Sequence, residues 1–190
     1  MNSSIHDKIT NLQNEYYKAN SKRSFFKSSQ KIDCATSITD SCELTQLFEN
    51  AIYIIPGTNR IYFDYPFFKT FANPNIFNAL VTYIYTLIHQ IIHTYSQYEI
   101  HVNWNTYSIS AHERYKDLYN IFLSRYETGD FNFHTNLTGL YVYFTPTVIQ
   151  LISKLMTPLI HPSILNKITL YSKTESEQLL SNLINKTQRI

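Results

Sequence analysis

From Leu80 to Tyr95 the chain reads LVTYIYTLIHQIIHTY, without one charged residue. A segment this apolar has to leave water, either by crossing a bilayer or by packing against the rest of the fold. Crossing as a helix needs about 20 consecutive apolar residues. This window is shorter and carries His89, Gln90 and His93, so burial in a protein core is the expectation. Phe77, Leu80, Ile84, Ile88, Ile91 and Tyr95 recur at helical spacing over 76–95, forming a wide apolar face that calls for a sheet beneath it.

Strand patterns lie on both sides of that helix. Before it, TQLFENAIYIIP reads as a short helix and then a strand ending at Pro56-Gly57, and β-rich Arg60-Ile-Tyr-Phe follows as the second arm of a hairpin-like edge. After it, Ile100, Val102 and Trp104 alternate along a strand. Ser110-x-x-Glu113 reads as a capping box opening a helix to about Tyr126, with Tyr115, Leu118, Phe122 and Tyr126 on one face. Leu140 to Phe144 is a further strand, and Thr145 with Pro146 supplies an N-cap and a first-turn proline for the next helix. Ile168 to Tyr171 is a third strand, and Thr174-x-x-Glu177 a second capping box, with Leu179, Leu180 and Leu183 on the apolar side of the closing helix. Strands alternating with helices through short connections are the order of βαβ units. The expectation is an α/β fold with a mainly parallel sheet flanked by helices.

At 190 residues the chain suits one domain, here placed over 46–190, and residues 1–45 are read as a polar, Ser-rich N-terminal arm. A net charge of +2 supplies no concentrated basic face, which argues against a nucleic-acid partner. Within the arm, Lys22, Arg23, Phe25, Phe26 and Lys27 combine cations with aromatics, a mixture that suits the headgroup boundary of an anionic membrane. Cys34 and Cys42 are too few for a disulfide framework or a zinc site and read as reduced thiols. The opening MNSSIHD has no apolar core of a secretory leader, so a cytoplasmic protein, peripheral to membranes at most, is expected.

The catalytic patterns are missing. His89 and His93 stand one helical turn apart, but Gln90 occupies the place of the glutamate in H-E-x-x-H, so no metalloprotease centre and no metal is expected. Asp64, Glu113, Asp117 and Asp130 form no carboxylate pair, and neither a Gly-rich phosphate loop nor a G-x-S-x-G elbow occurs. The expectation is a non-enzymatic protein without a cofactor.

One stretch is more specific. In LYVYFTPTVIQLISKLMTPLIHPSILNKITLY, prolines 146, 158 and 162 and Lys167-Ile168 follow a fixed spacing around an amphipathic helix. Together with the preceding strand EIHVNWNTYSIS, this resembles the CRAL-TRIO lipid-binding domain family over Glu99 to Asn185. The family pattern carries Asn-Ala before the first proline and a basic residue before the second, where this chain has Phe144-Thr145 and Thr157. The resemblance implies a lipid-binding or lipid-transfer module in which the helix from Pro146 to Met156 gates an apolar cavity. Val148, Ile149, Ile152 and Leu155 would face the ligand, and Lys167 matches a headgroup-contact position. The partners implied are a lipid or other hydrophobic small molecule and an anionic membrane surface. The motif NLTGLYVYFTPT from Asn136 resembles the BCH branch of the same superfamily nearly as well, which implies a protein–protein scaffold. A structural component of a large assembly, viral ones included, is the third reading. A carrier needs an empty apolar cavity of several hundred Å³, whereas a scaffold fills it with aromatics.

Overall fold

The computed structural model describes residues 4–20, 27–128, 133–157 and 160–185. At Pro56-Gly57 the chain reverses, Gly57 taking φ 71°, a left-handed conformation that glycine adopts without steric cost. β1 (Ile52–Ile54) and β2 (Arg60–Asp64) accordingly pair antiparallel, as the expected hairpin edge. β3 (Tyr98–Asn103), β4 (Leu137–Tyr143) and β5 (Ile168–Leu170) then join in sequence order, each running parallel to its predecessor. The result is a five-stranded mixed sheet of order β1-β2-β3-β4-β5.

Register sorts the side chains into two unlike faces. Ile54, Ile61, Ile100, Leu140 and Ile168 are paired across all five strands, and so are Tyr53, Tyr62, His101, Tyr141 and Thr169. Successive side chains point to opposite faces, so the first row makes one face aliphatic and the second makes the other aromatic and polar.

The helices are α1 (Ile5–Ala19), α2 (Lys27–Ser41), α3 (Leu44–Ala51), α4 (Tyr65–Phe68), α5 (Phe77–Tyr95), α6 (Ile109–Arg114), α7 (Lys116–Thr128), α8 (Phe133–Asn136), α9 (Ile149–Met156), α10 (Pro162–Leu165) and α11 (Lys173–Asn185). Right-handed crossovers between strands taken in sequence order all pass over the same face. In keeping with this, α5, α7 and α10 share one core with the aliphatic face. On the aromatic face a smaller core forms, in which Leu180 of α11 meets Ile55, Tyr62 and Tyr143. Among the described residues no helix is long and apolar enough to cross a membrane.

The segment read as a polar arm is instead two packed helices. Ser4 and Asp7 close a capping box at the start of α1, and Ile5 and Ile9 of α1 with Cys34 and Ile38 of α2 are buried in the main core. Lys8 Nζ donates to the Ser41 carbonyl at 2.7 Å, and Asn73 Nδ2 donates to Thr39 Oγ1 at 3.1 Å, fixing α2 to the loop before α5. Ile5, Ile9, Leu12 and Tyr16 do carry a helical period, but one narrow stripe among polar neighbours is a weak signal. Cys34 and Cys42 are both free thiols.

Three helix starts also differ from expectation, two of them because a residue nearer the strand end takes the cap. Ser108, not Ser110, caps α6 by accepting from the Ala111 N–H. Ser172 N–H donates to Glu175 Oε2 at 2.9 Å ahead of α11, so the working box is Ser172-x-x-Glu175 rather than Thr174-x-x-Glu177. The single helix expected to about Tyr126 is divided at Tyr115, whose ring enters the core 5.2 Å from that of Phe68 and 6.4 Å from that of Phe77. After β4, Phe144 turns left-handed at φ 55°, and a turn closed by Ile149 N–H on the Pro146 carbonyl delays α9 to Ile149, so Thr145 caps nothing there.

Candidate functional site

Protein interiors leave few voids larger than a water molecule. Here the aliphatic face of the sheet does not close against its helices, and a cavity of about 700 Å³ remains between them. Its floor is Ile61, Phe63, Ile100 and Leu140; one wall is Leu80, Ile84 and Ile88, spaced one turn apart on α5. The other wall is Leu118, Tyr119 and Phe122 of α7, and Ile160 to Pro162 with Ile164 of α10 completes it. Phe63, Ile100 and Leu140 stand on interior strands yet are only half-buried, because the space before them is empty. The Tyr85 hydroxyl donates to the Phe122 carbonyl at 3.1 Å, tying the two helical walls to each other.

Polar groups enter this lining at few places. Tyr119 is bonded hydroxyl to hydroxyl with Tyr107 at 2.6 Å, and the Tyr107 oxygen lies 3.4 Å from His112 Nδ1. Burial pushes the Tyr107 phenol up to about 12, against the lowering effect of its bond to Tyr119, so this hydroxyl keeps its proton. His161 stacks on His134 with ring centroids 4.1 Å apart, and its Nδ1 lies 2.8 Å from Ser163 Oγ. Lys167 Nζ donates to the carbonyls of His134 at 2.9 Å and Leu137 at 2.6 Å. Loss of solvent, then the nearby His161 and Lys167, hold the His134 imidazole below its ordinary value.

The residues expected to face a ligand fall differently. Val148 and Ile149 are partly buried against the main core and do not line the cavity. Ile152 and Leu155 lie on α9, where their side chains are outside the described residues. Lys167 directs its ammonium at backbone carbonyls. Lys22, Arg23, Phe25 and Phe26 lie outside the described residues; Lys27 opens α2, its side chain likewise undescribed. Of the true lining, Ile84, Ile88, Leu118 and Phe122 belong to faces whose periodicity is readable. Nothing in that periodicity distinguishes a wall around space from a packed core. Ile160 and His161 sit in a Pro-flanked link with no pattern of its own.

A second polar group lies on the opposite face of the sheet. Arg60 Nε donates to Glu99 Oε2 at 2.8 Å; the same oxygen is 3.2 Å from His101 Nε2, and His101 Nδ1 is 2.9 Å from the Tyr143 hydroxyl. Neutral His101 satisfies both partners if Nε2–H donates to Glu99 and Nδ1 accepts from Tyr143. Burial holds this imidazole below its ordinary value, with Glu99 opposing. His89 and His93 are exposed on α5, and no group of three or more potential metal ligands occurs among the described residues.

In fold and site the chain is an α/β protein with a mixed sheet and an apolar cavity on the sheet's aliphatic face. No protein-family model matches it, and no curated protein matches it.

Proposed function

We propose that this protein is a non-enzymatic binding module that holds one hydrophobic small molecule in the cavity between the sheet and α5, α7 and α10. The observation that carries this reading is the cavity itself: about 700 Å³, walled by aliphatic and aromatic side chains, with polar groups confined to a few positions. Small-ligand pockets span about 300–1,000 Å³ and share that lining. The proline and lysine spacing that resembles CRAL-TRIO proteins supports it from the sequence side, with α9 and the link into α10 as the segment that would admit the ligand.

A scaffold role is the second reading, favoured by Leu151 on α9 and Ile109 on α6, which are 52% and 37% exposed. Filling the cavity separates the two. Ile84→Trp places an indole in the space a ligand would use. Mass spectrometry of organic extracts should find an apolar molecule with the wild-type protein and little or none with the variant, both folded. Extracts empty for both, with no binding of added apolar compounds to the wild type, would reject the carrier.

A further inference from the structure

We propose that the ligand is an amphiphile with an anionic head, its tail lying against Ile61, Ile100 and Leu140 and its head held by the imidazoles of His134 and His161. This rests on the reading of the cavity as a ligand site and adds the chemistry of the ligand's polar end. His161 belongs to the cavity lining and is itself exposed, so it borders both the aliphatic cavity and solvent, where a polar head can sit. Its ring is stacked 4.1 Å from that of His134. Beside the pair, the Lys167 ammonium is held by the His134 and Leu137 carbonyls at 2.9 and 2.6 Å, a positive charge fixed in place rather than sweeping through solvent.

Three cationic or protonatable groups at one place repel one another, and His134 registers that repulsion as a lowered proton affinity caused by burial, His161 and Lys167. An anion between the cavity and this cluster reverses the sign, because a protonated His134 then gains a charge-assisted partner, while His161, whose Nδ1 accepts from the Ser163 N–H at 3.3 Å, can offer an Nε2–H. A neutral head is served less well. The amide of Asn120 and the hydroxyls of Ser124 and Tyr119 offer it hydrogen bonds, but it leaves the charge of the cluster uncompensated. A cationic head is disfavoured outright, since no described residue of the lining is acidic. A carboxylate and a phosphate monoester share the required chemistry.

The test is calorimetric titration of the full chain, stripped of co-purifying lipid, with laurate, dodecyl phosphate and 1-dodecanol, which carry the same tail. At least one anion should bind roughly tenfold tighter than the alcohol, the size of one hydrogen bond to a charged group. The double variant His134→Gln, His161→Gln should lose that advantage while its affinity for dodecanol is unchanged, which also verifies that the variant is folded. Anion affinity should fall as pH is raised toward neutrality in the wild type and not in the variant, as His134 loses its proton. Whichever anion binds more tightly identifies the head as carboxylate or phosphate. Equal binding of all three compounds, or an equal loss for all three in the variant, overturns the anionic head and leaves the cavity reading standing. No binding of any compound to the wild type removes both.

Discussion

Tyr141 folds its ring back over Gly139: a methyl group at residue 139 would sit 2.6 Å from ring carbon Cε2 and 2.8 Å from the hydroxyl oxygen. The same ring is stacked on His101 at a centroid distance of 4.8 Å, so a glycine in β4 is what lets the tyrosine lie flat across β3.

Gly139→Ala should therefore cost about 1 kcal/mol, with the displaced ring as its cause. In a Tyr141→Ala background the same substitution should be close to neutral. Urea unfolding of the four proteins of this cycle measures the coupling, and additive effects would show that the ring is not the obstacle.

His101 gives the fold a pH dependence. Its folded-state proton affinity is lowered, so as pH falls below about 6.5 the unfolded chain takes up a proton before the native one does. The stability due to neutral His101 is thus complete above that pH and is lost as pH drops through the depressed native value. His101→Gln should flatten the curve between about pH 7 and about pH 5. Stability measured by denaturant titration across that window decides it; an unchanged slope in the variant would place the dependence elsewhere.

Ile38 is fully buried in α2, while Ile100 faces the cavity. Truncating both to alanine should give unequal losses, about 3 kcal/mol or more for Ile38 and nearer 2 for Ile100, whose surroundings already contain empty space. Deleting residues 1–43 should remove soluble folded protein, since the main core then loses Ile5, Ile9, Cys34 and Ile38 together. Retention of a cooperative transition in the deletion protein would show that α1 and α2 are dispensable.

Thr106 is an exposed β-branched residue at φ 66°. Left-handed backbone costs such a residue about 1 kcal/mol, so Thr106→Gly should raise the thermal midpoint by a few degrees, less whatever the Lys69 hydrogen bond at 2.5 Å contributes. A lowered midpoint would mean that this bond outweighs the strain.

How much of this was readable from the sequence depends on the range of the interactions involved. α5 and the strands at Ile52, Arg60, Ile100, Leu140 and Ile168 follow from side-chain period alone, which is local. Competing caps a few residues apart, as at Ser108 and Ser110 or Ser172 and Thr174, both satisfy the local rule, and the strand end decides between them. The burial of Ile38 depends on a surface built by residues far along the chain. The cavity is harder still to read: Ile84 and Phe122 have the same pattern whether the space between them is filled or empty, since that depends on backbone separation. The His134–His161 stack joins a short helix to a Pro-flanked link, a meeting that no periodic signal announces.

The order of the strands has one more consequence, for how the protein is made and kept from clumping. Each strand after the first pairs with the one synthesised just before it, so a growing chain can extend the sheet from an edge already formed, without waiting for distant segments. During that growth the exposed edge moves outward with every strand added. In the finished sheet the two remaining edges are β1 and β5, each only three residues long. Such stubs offer another molecule little backbone to pair with, while the longer strands, whose exposed N–H and C=O groups would recruit neighbours, are enclosed between them.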